Sequence, residues 1–298
     1  MNTQSSAMRE FPPVSEQHAA PSISAARLMG WSVKRELWEN RYVYIVPLAV
    51  AAVALFAFLI ATIGRAMSTS DMVQRRAILE EPYTFVTSLI MAAAFIVGLI
   101  YCLEAMHGER RDRSILFWKS LPVSDLITVL SKLSIPLVIL PLFSFAIVVV
   151  AQITMLLLST IVLVGNGISA GPLWTRLFQM LLGLLYHLAT VHMLWYAPIY
   201  AWLLLVSAWA RRAVFLWAAL PVAAVGIIEK LAFNTSHFVD FLKYRITGPE
   251  IFDVPDTGPM AHFSLGRFLL TPGLWAGLIF AAASVFAAAR LRRYQGPV

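Results

Sequence analysis

The sequence predicts an all-α polytopic membrane protein with six transmembrane helices, and three observations carry that prediction. Hydrophobic residues fill 59% of its 298 positions and charged residues only 13%, with a mean hydropathy of +0.75, which is too apolar for a soluble globule. The apolar residues fall into long runs separated by short polar stretches. The basic residues concentrate in alternate stretches, as they do in the cytoplasmic loops of membrane proteins.

Taken in order, residues 1–21 hold Glu10, Pro12, Pro13, Glu16 and His18 with no apolar core. They are expected to be a disordered cytoplasmic tail rather than a cleaved signal peptide. The rest, 22–298, is expected to form a single transmembrane domain. Residues 22–41 place Met29, Val33 and Leu37 on one helical stripe and Trp31 and Trp38 on another. Tryptophans among lysines and arginines just before a span suit an N-terminal interfacial helix at the headgroups; an ordinary juxtamembrane flank is the alternative.

The nearly uncharged run 42–64 is long enough to cross ~30 Å of hydrocarbon at ~1.5 Å per residue and is assigned as span 1. Residues 65–81 read as a short polar loop. Pro82 is placed in the first turn of the next helix, with span 2 at about 84–106 and Glu104 near its end. Residues 104–125 are the densest polar block of the chain, and 107–125 of them are expected to form a cytoplasmic coupling loop. Within it Ser114, Phe117, Trp118 and Leu121 recur at the spacing of one helix face, which Pro122 closes. Arg110, Arg111, Arg113 and Lys119 flank that short helix. Large aromatics beside arginine are typical anchors of protein interfaces, although rings resting on lipid headgroups give the same text.

Ser124 is a suitable N-cap for the following helix, with Asp125 favouring its positive start. Lys132, Pro136 and Pro141 predict a cytoplasmic beginning and a kink before span 3, at about 135–164. Residues 165–172 are a turn. The half-polar text around Arg176 and Gln179 is expected to lead at a tilt or along the interface into span 4, about 187–208. Arg211 and Arg212 mark a tight loop before span 5, about 213–232, which ends at Glu229 and Lys230. That pair either lines an outer gate or ends a helix at the interface, since charges inside a bilayer are expensive. Residues 233–270 form the long external loop, and span 6 runs from about 272 to 289. Gly273, Gly277 and Ala281 give it a stripe of small residues suited to close helix packing, within the subunit or across a dimer.

With six spans, the tail, the 107–125 loop through Lys132, the Arg211 loop and the C-terminus hold 15 of the 23 lysines and arginines, leaving 8 on the other side. Both termini and the 107–125 loop are therefore expected in the cytoplasm. The net charge of +7 is spread over these short loops rather than gathered on one face, so no nucleic-acid partner is expected. The single cysteine, Cys102, allows no intrachain disulfide and reads as a small buried hydrophobe.

No Gly-Lys dipeptide occurs, which excludes a P-loop, and the metal-binding patterns H-E-x-x-H and C-x-x-C are absent. His187 and His192 are five residues apart and lie on different helix faces, suiting backbone or headgroup partners better than a metal. No catalytic constellation and no metal site are selected. Three classes stay open on the residues alone: a transporter subunit, a membrane-integral enzyme acting on a lipid or prenyl phosphate, and a membrane protein that only recruits a partner.

The stretch from Glu104 to Lys132 resembles the signature of ABC type-2 permeases, the membrane subunits of one class of ATP-driven exporters. An acidic residue ends the second span (Glu104), a charged stretch follows (109–113), then a short helix (114–120), a Leu-Pro-Val-Ser break (121–124) and a lysine at the third span (Lys132). Relatives commonly carry Gly-Thr where this chain has Arg113 and Ser114. The resemblance implies a non-catalytic permease subunit in a bacterial cytoplasmic (inner) membrane, exporting a hydrophobic or amphipathic substrate among membrane lipids. It implies a second permease copy, as a homodimer, and two P-loop ATPase subunits that bind ATP and Mg, with no cofactor on this chain. Arg110, Arg113, Ser114, Phe117, Trp118 and Leu121 would then couple to the ATPase, with Glu104 as a polar hinge partner.

Overall fold

A computed structural model describes residues 24–60, 72–119, 123–165, 169–248 and 265–294; the tail at 1–21, Leu121 and most of the loop after Gly248 lie outside them. The described residues are helical throughout, without strands. Five helices are long and apolar enough to cross a membrane, and a sixth if the bent pair at the start is counted as one span.

That pair is α1, Ala25–Glu39, and α2, Tyr42–Phe58, set at 57° to each other. Ser24 caps α1 by accepting from the Arg27 N–H, and Asn40 closes its other end on Glu36 O. Helix α3 runs over Met72–Ala105, so the expected polar loop before Pro82 is partly helix and Pro82 lies inside it rather than in its first turn. Residues such as Ala, Leu, Glu and Arg between 72 and 81 have strong helix propensity.

The polar block then forms two one-turn helices, α4 at His107–Arg111 and α5 at Ile115–Lys119. Helix α6, Asp125–Ser134, is capped as the sequence predicts: Ser124 accepts from the Ile127 N–H. The kink predicted at Pro136 is a single π turn, Ile135–Ile139, which leads into α7, Leu140–Gly165. In that turn Leu140 N–H bonds to Ile135 O. The matching donor for Pro136 O would be residue 141, a proline without an N–H. His192 supplies the bond instead, with Nε2 3.1 Å from Pro136 O.

Residues 187–208 do not form one helix. Helix α8, Gly171–His187, continues in π geometry to Trp195 and breaks at Tyr196, where α9, Ala197–Trp209, begins. Pro198 lacks the N–H that Leu194 O would need, so the chain breaks there. Helix α10, Val214–Phe233, turns through left-handed Asn234 into α11, His237–Thr247. A short α12, Leu265–Leu269, precedes α13, Pro272–Tyr294.

The two largest apolar cores among the described residues lie along the bundle. One packs Val97, Tyr101 and Cys102 of α3 with Val129, Leu133 and Ile135, with Tyr200 and Leu204 of α9 and with Ala281, Val285 and Ala288 of α13. It lies toward the α4–α5 end. The other, toward the opposite end, joins Ala51, Ala54 and Phe58 of α2 to Tyr83, Val86 and Ile90 of α3 and to Val148, Met155 and Leu156 of α7. Between them α3, α9 and the π turn come so close that a Cβ on Gly98 would sit 3.2 Å from Tyr200 and 3.3 Å from Pro136. Outward faces are apolar, as on Phe215, Leu231, Ile279 and Phe178, each more than two-thirds exposed; such a surface fits lipid rather than water.

Candidate functional site: a buried charge cluster under the polar loop

The α4–α5 end holds a cluster of ionised groups brought from four helices. Lys132 of α6 is 1% exposed, with its Nζ 2.8 Å from Glu36 Oε1 of α1 and 3.0 Å from Glu109 Oε1 of α4. Arg35 bonds Glu36 and lies 3.2 Å from Glu109. Arg292, near the end of α13, bonds Glu109 Oε2 and pairs with Asp125 at 3.2 Å. Tyr101 of α3 donates its hydroxyl to Glu36 Oε2 at 2.8 Å. Glu36, Glu109 and Asp125 stand against Arg35, Lys132 and Arg292, and Glu39 lies 3.8 Å from Arg35 at the exposed edge, so opposite charges nearly balance. Burial of so many charges is tolerable only because each has an oppositely charged partner, and removing one partner from such a set costs about 3–5 kcal/mol.

The helix ends around the cluster are closed reciprocally. Helix α3 stops at Ala105, and Ser207 of α9 sits in the gap: its Oγ accepts from the Met106 and His107 N–H groups and donates to Leu103 O at 2.7 Å. In return Arg110 of α4, 5% exposed, donates to Ala208 O at 2.7 Å and Ala210 O at 3.2 Å, covering the carbonyl end of α9.

Helix α5 is fastened to this platform on one side and presents Leu116 and Phe117 on the other. Ile115 is buried, and the Trp118 ring receives the Arg35 guanidinium, whose Cζ is 3.9 Å from the ring centroid. Lys119 Nζ reaches Arg293 O at 3.4 Å. Leu116 and Phe117 are 59% and 61% exposed. Between α4 and α5, Arg113 takes the left-handed conformation, φ 57°, and Ser114 Oγ donates to Glu109 O. Glycine adopts that conformation with least strain.

Of the residues singled out in the sequence, Arg110, Arg113, Ser114, Phe117 and Trp118 come together here, and Leu121 lies outside the described residues. Glu104 is exposed and takes no part in the cluster. The buried carboxylates are Glu109, one turn past the α3 break, and Glu36 of α1. Local sequence does not single them out: Glu36 stands among Lys34, Arg35, Glu39 and Arg41, and Glu109 and Asp112 both adjoin the same arginines. The expected aromatic face is turned: Ile115 points in, Trp118 lies sideways on Arg35, and Leu116 joins Phe117 outside.

At the opposite end Glu229 is a helix-capping group. Its carboxylate accepts from Thr235 Oγ1 and from the His237 and Phe238 N–H groups, each at 2.8 Å, and so closes the start of α11. Lys230 is exposed. The stripe of small residues on α13 packs within the chain: Gly273 faces Tyr244 and Trp195, and Gly277 faces Arg245. Among the described residues no three His, Cys, Asp or Glu side chains are grouped to hold a metal ion. Comparison with family models, with curated proteins and with solved structures finds no match to this chain.

Proposed function

We propose that the chain is the membrane subunit of an ATP-driven exporter of the ABC type-2 kind, with six spans and with both termini and the α4–α5 loop in the cytoplasm. The observation that supports it best is the two-sidedness of that loop. It presents Leu116 and Phe117 outward, while Trp118, Glu109 and Arg110 tie it to α1, α6, α9 and α13. A protein that pressed on α5 would move four helices at once, because breaking any buried pair in the cluster is costlier than moving it whole.

Two ATPase subunits closing on ATP and Mg would push two such loops, one on each of two permease copies. Their closure would bias the paired bundles between inward-open and outward-open states. In this reading Leu116 and Phe117 touch the ATPase, Trp118 and Arg35 transmit its movement to α1, and Lys132, Glu109 and Arg292 carry it to α6 and α13. Glu104 has no part in the relay. The excess of basic residues on the α4–α5 side gives the orientation, and a bacterial inner membrane and an amphipathic substrate follow from the resemblance.

The test is co-purification from native membranes in mild detergent. A P-loop ATPase should accompany the tagged chain and be lost from the Leu116→Ala, Phe117→Ala double variant, whose thermal unfolding should match wild type. A chain that brings no ATPase with it leaves the proposal without a basis.

A further inference from the structure

Two buried arginines stand near opposite ends of α13, Arg292 on the helix itself and Arg245 against it, and their surroundings differ. Arg292 has the carboxylates of Glu109 and Asp125. Arg245, at the end of α11 and 5% exposed, has no carboxylate partner among the described residues. Its Nη1 donates to Gly273 O at 3.0 Å, its Cζ lies 4.3 Å from the centre of the Trp195 ring, and its Nη2 is buried with no hydrogen-bond partner. The niche exists because residue 277 is glycine: a Cβ there would fall 2.0 Å from Nη2.

A stacked indole and one carbonyl do not neutralise a buried guanidinium. Its other neighbour adds to the imbalance, since Gly273 belongs to the first turn of a 23-residue helix, whose start carries partial positive charge. A buried guanidinium with one NH2 group unpartnered, close to a helix start, is suited to take an anion. The rest of the wall is apolar: Trp195, Phe268 and Leu274 are fully buried around it, with Tyr244 against the indole. Just outside, Leu270 and Trp275 are 81% and 56% exposed, a surface suited to an alkyl chain.

We propose that Arg245, the Trp195 face and the first turn of α13 bind the anionic headgroup of an amphiphile, a phosphate or carboxylate carried on an apolar tail. The headgroup takes the free Nη2 and replaces the Gly273 carbonyl on Nη1, while the tail lies over Leu270 and Trp275. This does not depend on an ATPase partner, because the site is at the other end of the bundle from α5.

The full chain, purified in a neutral maltoside detergent, is titrated with dodecyl phosphate and followed by thermal unfolding and native mass spectrometry. Wild type should bind dodecyl phosphate and gain thermal stability. Arg245→Gln should bind at least tenfold more weakly, Arg245→Lys should keep part of the affinity, and both should still bring down any ATPase that wild type does. Equal binding by Arg245→Gln overturns the proposal, and stabilisation by inorganic phosphate alone to the same degree overturns the amphiphile in favour of a free anion. Phosphatidylglycerol retained through purification by wild type and lost from Arg245→Gln identifies the source as a bilayer lipid. Should Arg245→Gln fail to fold, a photoreactive alkyl phosphate on the wild-type chain decides: labelling of residues 268–275 supports the site, and labelling only elsewhere refutes it.

Discussion

The guanidinium of Arg35 lies on the indole of Trp118, Cζ 3.9 Å from the ring centre, and through it the first helix of the chain holds the outermost turn of the polar loop. A contact of this kind contributes about 0.5–2 kcal/mol and needs a planar cation for full stacking. Trp118→Ala and Arg35→Lys should each lower the stability of the purified chain by about 1 kcal/mol. Both should speed proteolytic cleavage at Arg111 and Arg113. Leu116→Ala, at an exposed position, should do neither.

Lys132 joins Glu36 to Glu109 from a 1% exposed position. Lys132→Met leaves two buried carboxylates short of a partner and should cost about 3–5 kcal/mol. Adding Glu36→Gln should restore part of that loss, so a double-mutant cycle in chemical denaturation should be far from additive. Additive effects would mean that the two side chains do not share a network.

Arg113 holds a φ of 57°, a conformation that costs a non-glycine residue about 1–2 kcal/mol. Arg113→Gly should therefore stabilise the chain by up to about 1 kcal/mol, less whatever the extra freedom of the unfolded glycine removes. Arg113→Val should destabilise it, because a β-branched side chain tolerates the left-handed region worst. Thermal midpoints of the three proteins under one detergent condition give the order.

His192 meets the carbonyl that Pro141 leaves without a donor. Replacing it by Leu buries an unsatisfied acceptor at a cost of about 1–3 kcal/mol. In a Pro141→Ala background, where residue 141 regains its N–H, the same replacement should cost much less. Equal costs in the two backgrounds would show that the histidine acts elsewhere.

Glu229 caps α11 through the His237 and Phe238 N–H groups. Glu229→Gln should shorten the hydrogen-exchange protection of the first turn of α11 while leaving the α4–α5 end, and any ATPase association, as in wild type. A change at the α4–α5 end would point to a through-bundle role that a local cap does not have.

How far the sequence disclosed this architecture depends on the range of the interaction. Ser124 as an N-cap and an irregularity at Pro136 are decided within a few residues and are readable, the irregularity being a π turn. The break at Tyr196 is equally local, but the long apolar text around Pro198 hid it. The charge cluster was not readable, because Glu36 and Lys132 are 96 residues apart and nothing near either names the other. Likewise Glu104 and Glu109 differ only by which side of the α3 break they fall on, and that break depends on Ser207, more than a hundred residues on. Trp118 was recognised for its type, but its place on Arg35 rather than outside with Phe117 is set by the helix it meets.

Ser207 fills the gap after α3 while Arg110 covers the end of α9, and each seal depends on the other helix being in register. The interval between His107 and Arg110 is therefore a fixed measure. A residue inserted or deleted there would turn Arg110 by about 100° around its helix and open both seals together. Related chains should accept many substitutions in this interval and no change in its length.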